Sequence, residues 1–331
     1  MPQPRMKAAV RRRYGSPDVI QLEEVEKPTP NDNQVLVQVQ AASINKSDWF
    51  DLGTSLMIRL IGGGGVRKPK NVKLGSDLAG VVEAVGKNVK LFQPGDEVFG
   101  DASGSLAEFV CAREDRLALK PANVTFEEAA AVGIAAITAL QGLRDKGQIK
   151  PGQRVLIEGA SGGVGTFAVQ IAKSYGAEVT AVCSTTNLER ARIMGADHVI
   201  DYTQEDFTKN GQNYDLILAV NGFRSTLNYR RALSPKGMYV MVGSSKPLTG
   251  MLQTILLSPL ISRKEGKRFG FMGIAKLDQK DLVYLKELLE AGRVKPMIDK
   301  QYLLSETAEA FRYLGEGHAR GKVVVSMNPE A

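Results

Sequence analysis

Residues 157–173 read IEGASGGVGTFAVQIAK, and within them Ala160, Ser161, Gly162, Gly163, Val164 and Gly165 join an apolar strand to a segment of helical periodicity. The spacing Ala160-x-Gly162-x-x-Gly165 can cradle phosphates. Gly162 lets the backbone approach a pyrophosphate, and Gly165 lets the helix pack closely on its strand. Amide groups at the helix start, aided by the helix dipole, would hold the anion. Alanine stands at the first position of the fingerprint, so the spacing alone also describes a glycine-rich strand-to-helix turn. The strand before it and the helix after it supply the context of a dinucleotide site.

The choice of dinucleotide rests on the next strand end. An acidic residue about 20 positions on would grip the ribose hydroxyls of NAD. This chain has AVCSTTNLERAR there, with no carboxylate between Glu178 and Glu189. Ser184, Thr185 and Asn187 can bond a 2′-phosphate without repelling it, and Arg190 adds a cation. The expected cofactor is therefore NADPH. Ser, Thr and Asn are also preferred helix caps, a role compatible with the first.

These groups need a frame to hold them. Up to about residue 122, short apolar runs alternate with turn signals. QVLVQVQ sets Val35, Val37 and Val39 on one face, and DLAGVVEAVGKNVKLFQPGDEVFG continues in the same rhythm. This predicts a small barrel of antiparallel strands, with no helix of useful length before Glu127. From Pro121 onward strands and helices alternate: RVLIEG, EVTAVCS, HVIDY, DLILAV and MYVMVG are strands, while TFAVQIAKSYGA and NLERARIMGA are helices ending at Gly176 and Gly195. Buried strands alternating with helices predict a parallel sheet with right-handed crossovers. Helices over 279–289 and 306–314 and a strand in GKVVVSM follow, and this tail is expected to complete the first domain.

Composition narrows the function. The 331 residues are 43% hydrophobic and 24% charged, as in a globular protein. No apolar run approaches the roughly 20 residues of a membrane span. MPQPRMKAAVRRRYG lacks the apolar segment of a signal peptide, so the expectation is cytoplasmic. The two cysteines, Cys111 and Cys183, stand apart, which argues against a disulfide framework or a cysteine-rich zinc site. The net charge of +7 is mostly scattered, without the interleaved aromatics of a nucleic-acid surface. No Ser/His/Asp or Cys/His constellation supports hydrolysis.

SINKSDWF, the glycine-punctuated run from Gly75 to Gly100, GASGGVGTFAVQIAK, GADHVIDY and ARGKVVV together resemble the zinc-free quinone oxidoreductases of the medium-chain dehydrogenase/reductase superfamily. This group includes zeta-crystallin. The likeness runs nearly end to end. It implies an α/β protein: a GroES-like barrel over 1–122 and 266–331, with a doubly wound Rossmann domain over 123–265, usually as a homodimer. Zinc-dependent relatives carry a cysteine ligand and a Gly-His-Glu where this chain has Asn45 to Asp48 and Gly75-Ser76-Asp77. With His198 and His318 far off, a tetrahedral site cannot be assembled, and no metal is expected.

The resemblance implies hydride transfer from NADPH to a quinone or an α,β-unsaturated carbonyl. It sets Asn45 beside the nicotinamide, and gives Asp48 either a substrate role or the ordering of its loop. Thr138 matches a helix threonine near the cofactor, and Tyr202 a tyrosine near the 2′-phosphate. Val220 to Gly222 and Val242 to Ser244, Gly243 among them, would end strands beside the dinucleotide. Phe271, Met272, Gly321 and Lys322 match positions near the nicotinamide, with ordinary packing or surface charge an equal account. LILAVNG lacks an aspartate the family commonly carries. Residues 51–71, with Gly62 to Gly65, read as a lid or an exposed loop. An alcohol dehydrogenase or enoyl-thioester reductase on the same frame, and a non-enzymatic NADPH-binding, RNA-associated protein, are the alternatives.

Overall fold

The computed structural model describes residues 4–53, 68–243 and 247–327, apart from the side chains of 247–251. Gly62 to Gly65 and Ser244 lie outside the described residues. Two units divide the chain: Met1–Ala135 with Leu277–Gly292 and Pro296–Ala331, and Ala136–Lys276 with Arg293–Lys295.

The first unit is built from β1 (Arg5–Arg11), β2 (Ile20–Glu26), β3 (Gln34–Ile44), β4 (Asp77–Val85), β5 (Glu97–Asp101), β6 (Phe109–Arg113), β7 (Leu117–Leu119), β14 (Ile298–Leu303) and β15 (Lys322–Ser326). β1 and β2 form an antiparallel ribbon, and a larger sheet runs β14-β15-β3-β4-β5-β7, with β6 also pairing β3. Val35, Val37 and Val39 are buried, as their period-2 spacing requires, and pack with Leu78, Val98, Phe311, Val323 and Val325. Leu36 is buried as well, so β3 is covered on both faces near its start. The tail returns to this unit: β15 pairs β3 antiparallel and β14 pairs β15.

The second unit holds β8 (Arg154–Glu158), β9 (Glu178–Cys183), β10 (His198–Asp201), β11 (Tyr214–Ala219), β12 (Leu233–Met241) and β13 (Arg268–Phe271). All six are parallel, in the order β10-β9-β8-β11-β12-β13. This doubly wound order reverses between β8 and β11, the switch point at which open parallel sheets offer ligands a crevice. The helix Gly163–Ser174 buries Phe167, Ala168, Ile171 and Ala172. Gly176 ends it at φ 76°, a left-handed conformation that glycine adopts without a Cβ penalty.

Three details differ from the sequence reading. A helix of one and a half turns, Lys46–Asp51, precedes Glu127 and follows β3 directly; it is too short to show a periodic face. The helix Phe126–Ala130 packs on β3 and β4, so the first unit extends beyond the expected boundary at 122. The second unit runs past 265 because β13 pairs β12 and completes the parallel sheet.

Candidate active site

In the second unit, parallel strands bring their carboxyl ends to one edge. Across that edge, in sheet order, come Tyr202 after β10, Ser184 after β9, the Ala160–Gly165 turn after β8, Val220 after β11, Gly243 after β12, and Phe271 and Met272 at the end of β13. Six separated stretches named from the sequence are thus collected in a row.

The glycine turn fits a phosphate cradle. Gly162 is the N-cap residue of its helix, and no side chain caps the first-turn amides. A Cβ on Gly162 would meet only Gly159 O, at 3.7 Å, so the space outside the turn is open. Gly165 is different: its Cβ would lie 2.0 Å from Gly159 O and 2.8 Å from Ala160 Cα. Close packing of helix against strand therefore needs glycine there. Ala160 is fully buried, its amide donating to Val182 O, while Ser161, Gly163 and Val164 are half-buried. The residues present fit a bound dinucleotide.

At the next strand end the groups are already engaged. Asn187 Nδ2 donates to Ser184 Oγ at 2.9 Å; Ser184 stands at the N-cap of a short 3-10 turn, but its side chain accepts none of the turn's backbone N–H groups. Thr185 donates its hydroxyl to Asp201 Oδ2. Asp201 was not anticipated: β10 pairs β9 in a register that sets it beside Cys183, which brings a carboxylate to an end free of acids in the local sequence. Hydrogen bonds from Thr185 and Thr203 hold its carboxyl below the usual carboxylate range. Arg190 is half-buried on the Leu188–Ile193 helix. Tyr202 is exposed and meets Phe223 edge to face, with ring centroids 6.1 Å apart.

Beneath this edge lies a buried ion pair. Glu158, the last residue of β8, accepts from Arg224 Nη1 at 2.7 Å and from the Tyr229 hydroxyl at 2.6 Å. Arg224 also bonds Asp206 and lies over the rings of Phe207 and Phe223. Burial pushes the Glu158 carboxyl up, against the pull of Tyr229 and Arg224. A Cβ at Gly222 would sit 2.7 Å from the Tyr229 hydroxyl, which ties the turn after β11 to this pair. Thr138 is half-buried on the helix Gly133–Gln141.

The barrel unit carries the second cluster. Asn45 follows β3 directly and stands at the N-cap of the short helix, where Asp48 Oδ2 accepts its backbone N–H at 2.7 Å. Ser76 Oγ donates to Asp48 Oδ1 at 2.8 Å. Both bonds tie Asp48 to the start of its own helix and to Ser76. Burial raises its carboxyl to about 6, with Asp77 adding to the rise and Ser76, the Asn45 amide and Lys322 opposing it. Asn45 Nδ2 donates to Asp77 Oδ2 at 2.9 Å, and its Oδ1 accepts from Lys322 Nζ at 2.5 Å. Asp77 Oδ2 takes further bonds from Ser43 Oγ at 2.9 Å and Lys322 Nζ at 3.2 Å, while Oδ1 accepts the Ile134 N–H. That approach requires glycine next door, because a Cβ on Gly133 would lie 2.2 Å from Asp77 Oδ1. Lys322 is not a surface charge; it is 3% exposed, and Gly321 before it is buried too. The motif GSDLAG drew attention to Asp77 only as a position without a zinc ligand. Its role depends on pairing with Ser43 across β3 and β4, which no local pattern reveals.

Barrel and nucleotide sheet together define a medium-chain dehydrogenase/reductase. The description "Alcohol dehydrogenase GroES-like domain" matches residues 31–122, and "Zinc-binding dehydrogenase" matches 194–325. Relatives include the NAD(P)H oxidoreductase RTN4IP1, mitochondrial, of Mus musculus, 36% identical over 89% of this chain and 82% of its own. Another is the NADPH-dependent alkenal/one oxidoreductase, chloroplastic, of Arabidopsis thaliana, 34% identical over 97% and 79%. Among solved structures, the quinone oxidoreductase from Coxiella burnetii superposes with a TM-score of 0.83 at 27% identity, covering 98% of this chain and 100% of its own. The chain belongs to the zinc-free quinone oxidoreductase subfamily of that superfamily. It is an NAD(P)H-dependent oxidoreductase. The zinc in the second description does not suit the residues here: Asn45, Ser76 and Asp77 offer neither thiol nor imidazole and are bonded within their own cluster. Among the described residues, no group of three or more His, Cys, Asp or Glu is placed to hold a metal ion. No helix among them is long and apolar enough to cross a membrane.

Proposed function

We propose that the enzyme uses NADPH, in preference to NADH, to reduce quinones and α,β-unsaturated carbonyls. When bound, the reduced nicotinamide supplies the hydride. The observation that carries the reading is the state of Asn45. Its amide is clamped between an ammonium and a carboxylate, and among the described residues its second Nδ2–H has no partner. An electron-poor acceptor that takes a hydride at carbon leaves negative charge on its oxygen, which an oriented neutral donor stabilises. Such a donor can assist reduction without a Lewis acid.

The 2′-phosphate preference draws on Ser184, Thr185, Arg190 and Tyr202, and on the relative whose name specifies NADPH. Asp201 weighs against it, so the preference is expected to be moderate. The pyrophosphate is assigned to the open side of Gly162. The same reading extends to a cytoplasmic homodimer acting on small molecules rather than nucleic acid, supported by the scattered basic residues and the family likeness; sedimentation and cell fractionation would test both parts.

Steady-state assays with NADPH and NADH against quinones, alkenals, enones, alcohols and enoyl thioesters test the proposal. NADPH-dependent turnover of quinones or enones is expected. Turnover confined to alcohols or thioesters, or salt-sensitive RNA binding with no turnover, would overturn it.

A further inference from the structure

The resemblance sets Lys322 over the cofactor, yet in the structure its ammonium is committed to its own unit. We infer that Lys322 is a positioning residue: through Asn45 Oδ1 it dictates which way the Asn45 amide faces, and so aims the remaining N–H for the reaction. The inference rests on the reading of Asn45 given above.

An asparagine amide has two faces of similar shape and opposite polarity, and packing alone separates them poorly. Here charge does the sorting. Asn45 Oδ1 faces Lys322 Nζ at 2.5 Å, while Nδ2 faces Asp77 Oδ2 at 2.9 Å. Turning the amide over would set two N–H groups against an ammonium and a carbonyl against a carboxylate. Both contacts are buried, with Asp77 at 0%, Lys322 at 3% and Asn45 at 8% exposure, so water cannot relieve the mismatch. Low local polarity makes each wrong pairing costly.

The fold sets this up through strand register. β15 pairs β3 with Val323 opposite Ile44, and extending that register by one residue puts Lys322 across from Asn45. β3 pairs β4 with Ser43 opposite Asp77. Three strand ends therefore deliver one acceptor, one ammonium and the amide between them. A compact ammonium bridging Asn45 Oδ1 and Asp77 Oδ2 suits this corner, whereas the planar fork of arginine would have to displace one partner. Asp77 in turn is braced by Ser43 Oγ and the Ile134 N–H, so the corner has little freedom to rearrange.

A double-mutant cycle on the full chain tests the inference, using Lys322→Met, Asn45→Ala and the double variant. Three quantities are read for each: the single-turnover rate of NADPH oxidation by a good quinone, NADPH affinity by fluorescence, and thermal unfolding. Lys322→Met should slow hydride transfer at least about 10-fold in the parent, because the donor loses its aim. In the Asn45→Ala background it should change that rate less than about 2-fold. An equal slowing in both backgrounds would overturn the inference, as would an equal loss of NADPH affinity in both, which marks a direct cofactor contact. If Lys322→Met does not fold, Lys322→Arg keeps the charge and enters the same cycle. Asn45→Ala at full speed sinks the reading of Asn45 itself. Slow Asn45→Ala with fast Lys322→Met sinks only the positioning role.

Discussion

Thr185 gives its hydroxyl hydrogen to Asp201 across the adjoining ends of β9 and β10. The groups expected to receive a 2′-phosphate thus share their ground with a negative charge. Asp201→Asn should strengthen NADPH relative to NADH several-fold by removing that repulsion. Ser184→Asp should do the reverse. Fluorescence titration of each protein with both cofactors decides it, and an unchanged ratio in Asp201→Asn removes this carboxylate from cofactor choice.

Asp48 makes stability depend on pH. Burial raises its carboxyl from an ordinary 3.8 to about 6, so between those values the folded chain holds a proton that the unfolded chain has released. Stability from this group is full below pH 4, declines as pH rises through about 6, and then levels. Asp77 and Lys322 face the same carboxyl with opposite effects, and Asp101, also raised to about 6 by burial, adds a parallel slope. Asp48→Asn should flatten the Asp48 share while leaving that of Asp101, because the Ser76 hydroxyl can turn to meet an amide. Urea unfolding of both proteins at pH 4 to 7 measures the difference. Parallel curves would show that Asp48 does not titrate as described.

Gly162→Ala and Gly165→Ala should fail in different ways. The first adds a methyl where only Gly159 O lies within 4 Å, so the protein should melt normally and lose NADPH affinity. The second forces a methyl against backbone at 2.0 Å and should cost about 1–3 kcal/mol or more. Calorimetry paired with cofactor titration separates them, and equal melting points would contradict the packing role of Gly165.

Arg224→Met should be strongly destabilising. It strands Glu158, 2% exposed, without its cation, and losing one partner of a buried pair costs about 3–5 kcal/mol. Denaturant unfolding gives the value directly. A loss under about 1 kcal/mol would mean that Tyr229 alone satisfies the Glu158 carboxyl.

What the sequence reveals follows from how local each feature is. Ala160 to Gly165 are consecutive, so their spacing announces both the turn and its anion. The alternation of β8, β9 and β10 with the helices between them is equally local, and it announces the parallel sheet, although no helix among the described residues joins β10 to β11. β13 is a four-residue strand, Arg268–Phe271, with no period to read, and it escaped notice until paired with β12. Asp201 and Asp77 are harder still. Their roles arise from register between strands, which places Asp201 against Thr185 and Asp77 against Asn45. Lys322 was visible as a residue of interest, but its burial and its partners belong to the packed barrel.

The bond between Lys322 and Asn45 joins residues 277 positions apart, and everything in the nucleotide sheet lies between them in the chain. A ribosome therefore finishes β8 to β13 before it makes β15, the strand that carries Lys322. Domains emerging in this order fold as they appear. During synthesis the first unit therefore waits for its last strand, β15, long after β3 and β4 have been made.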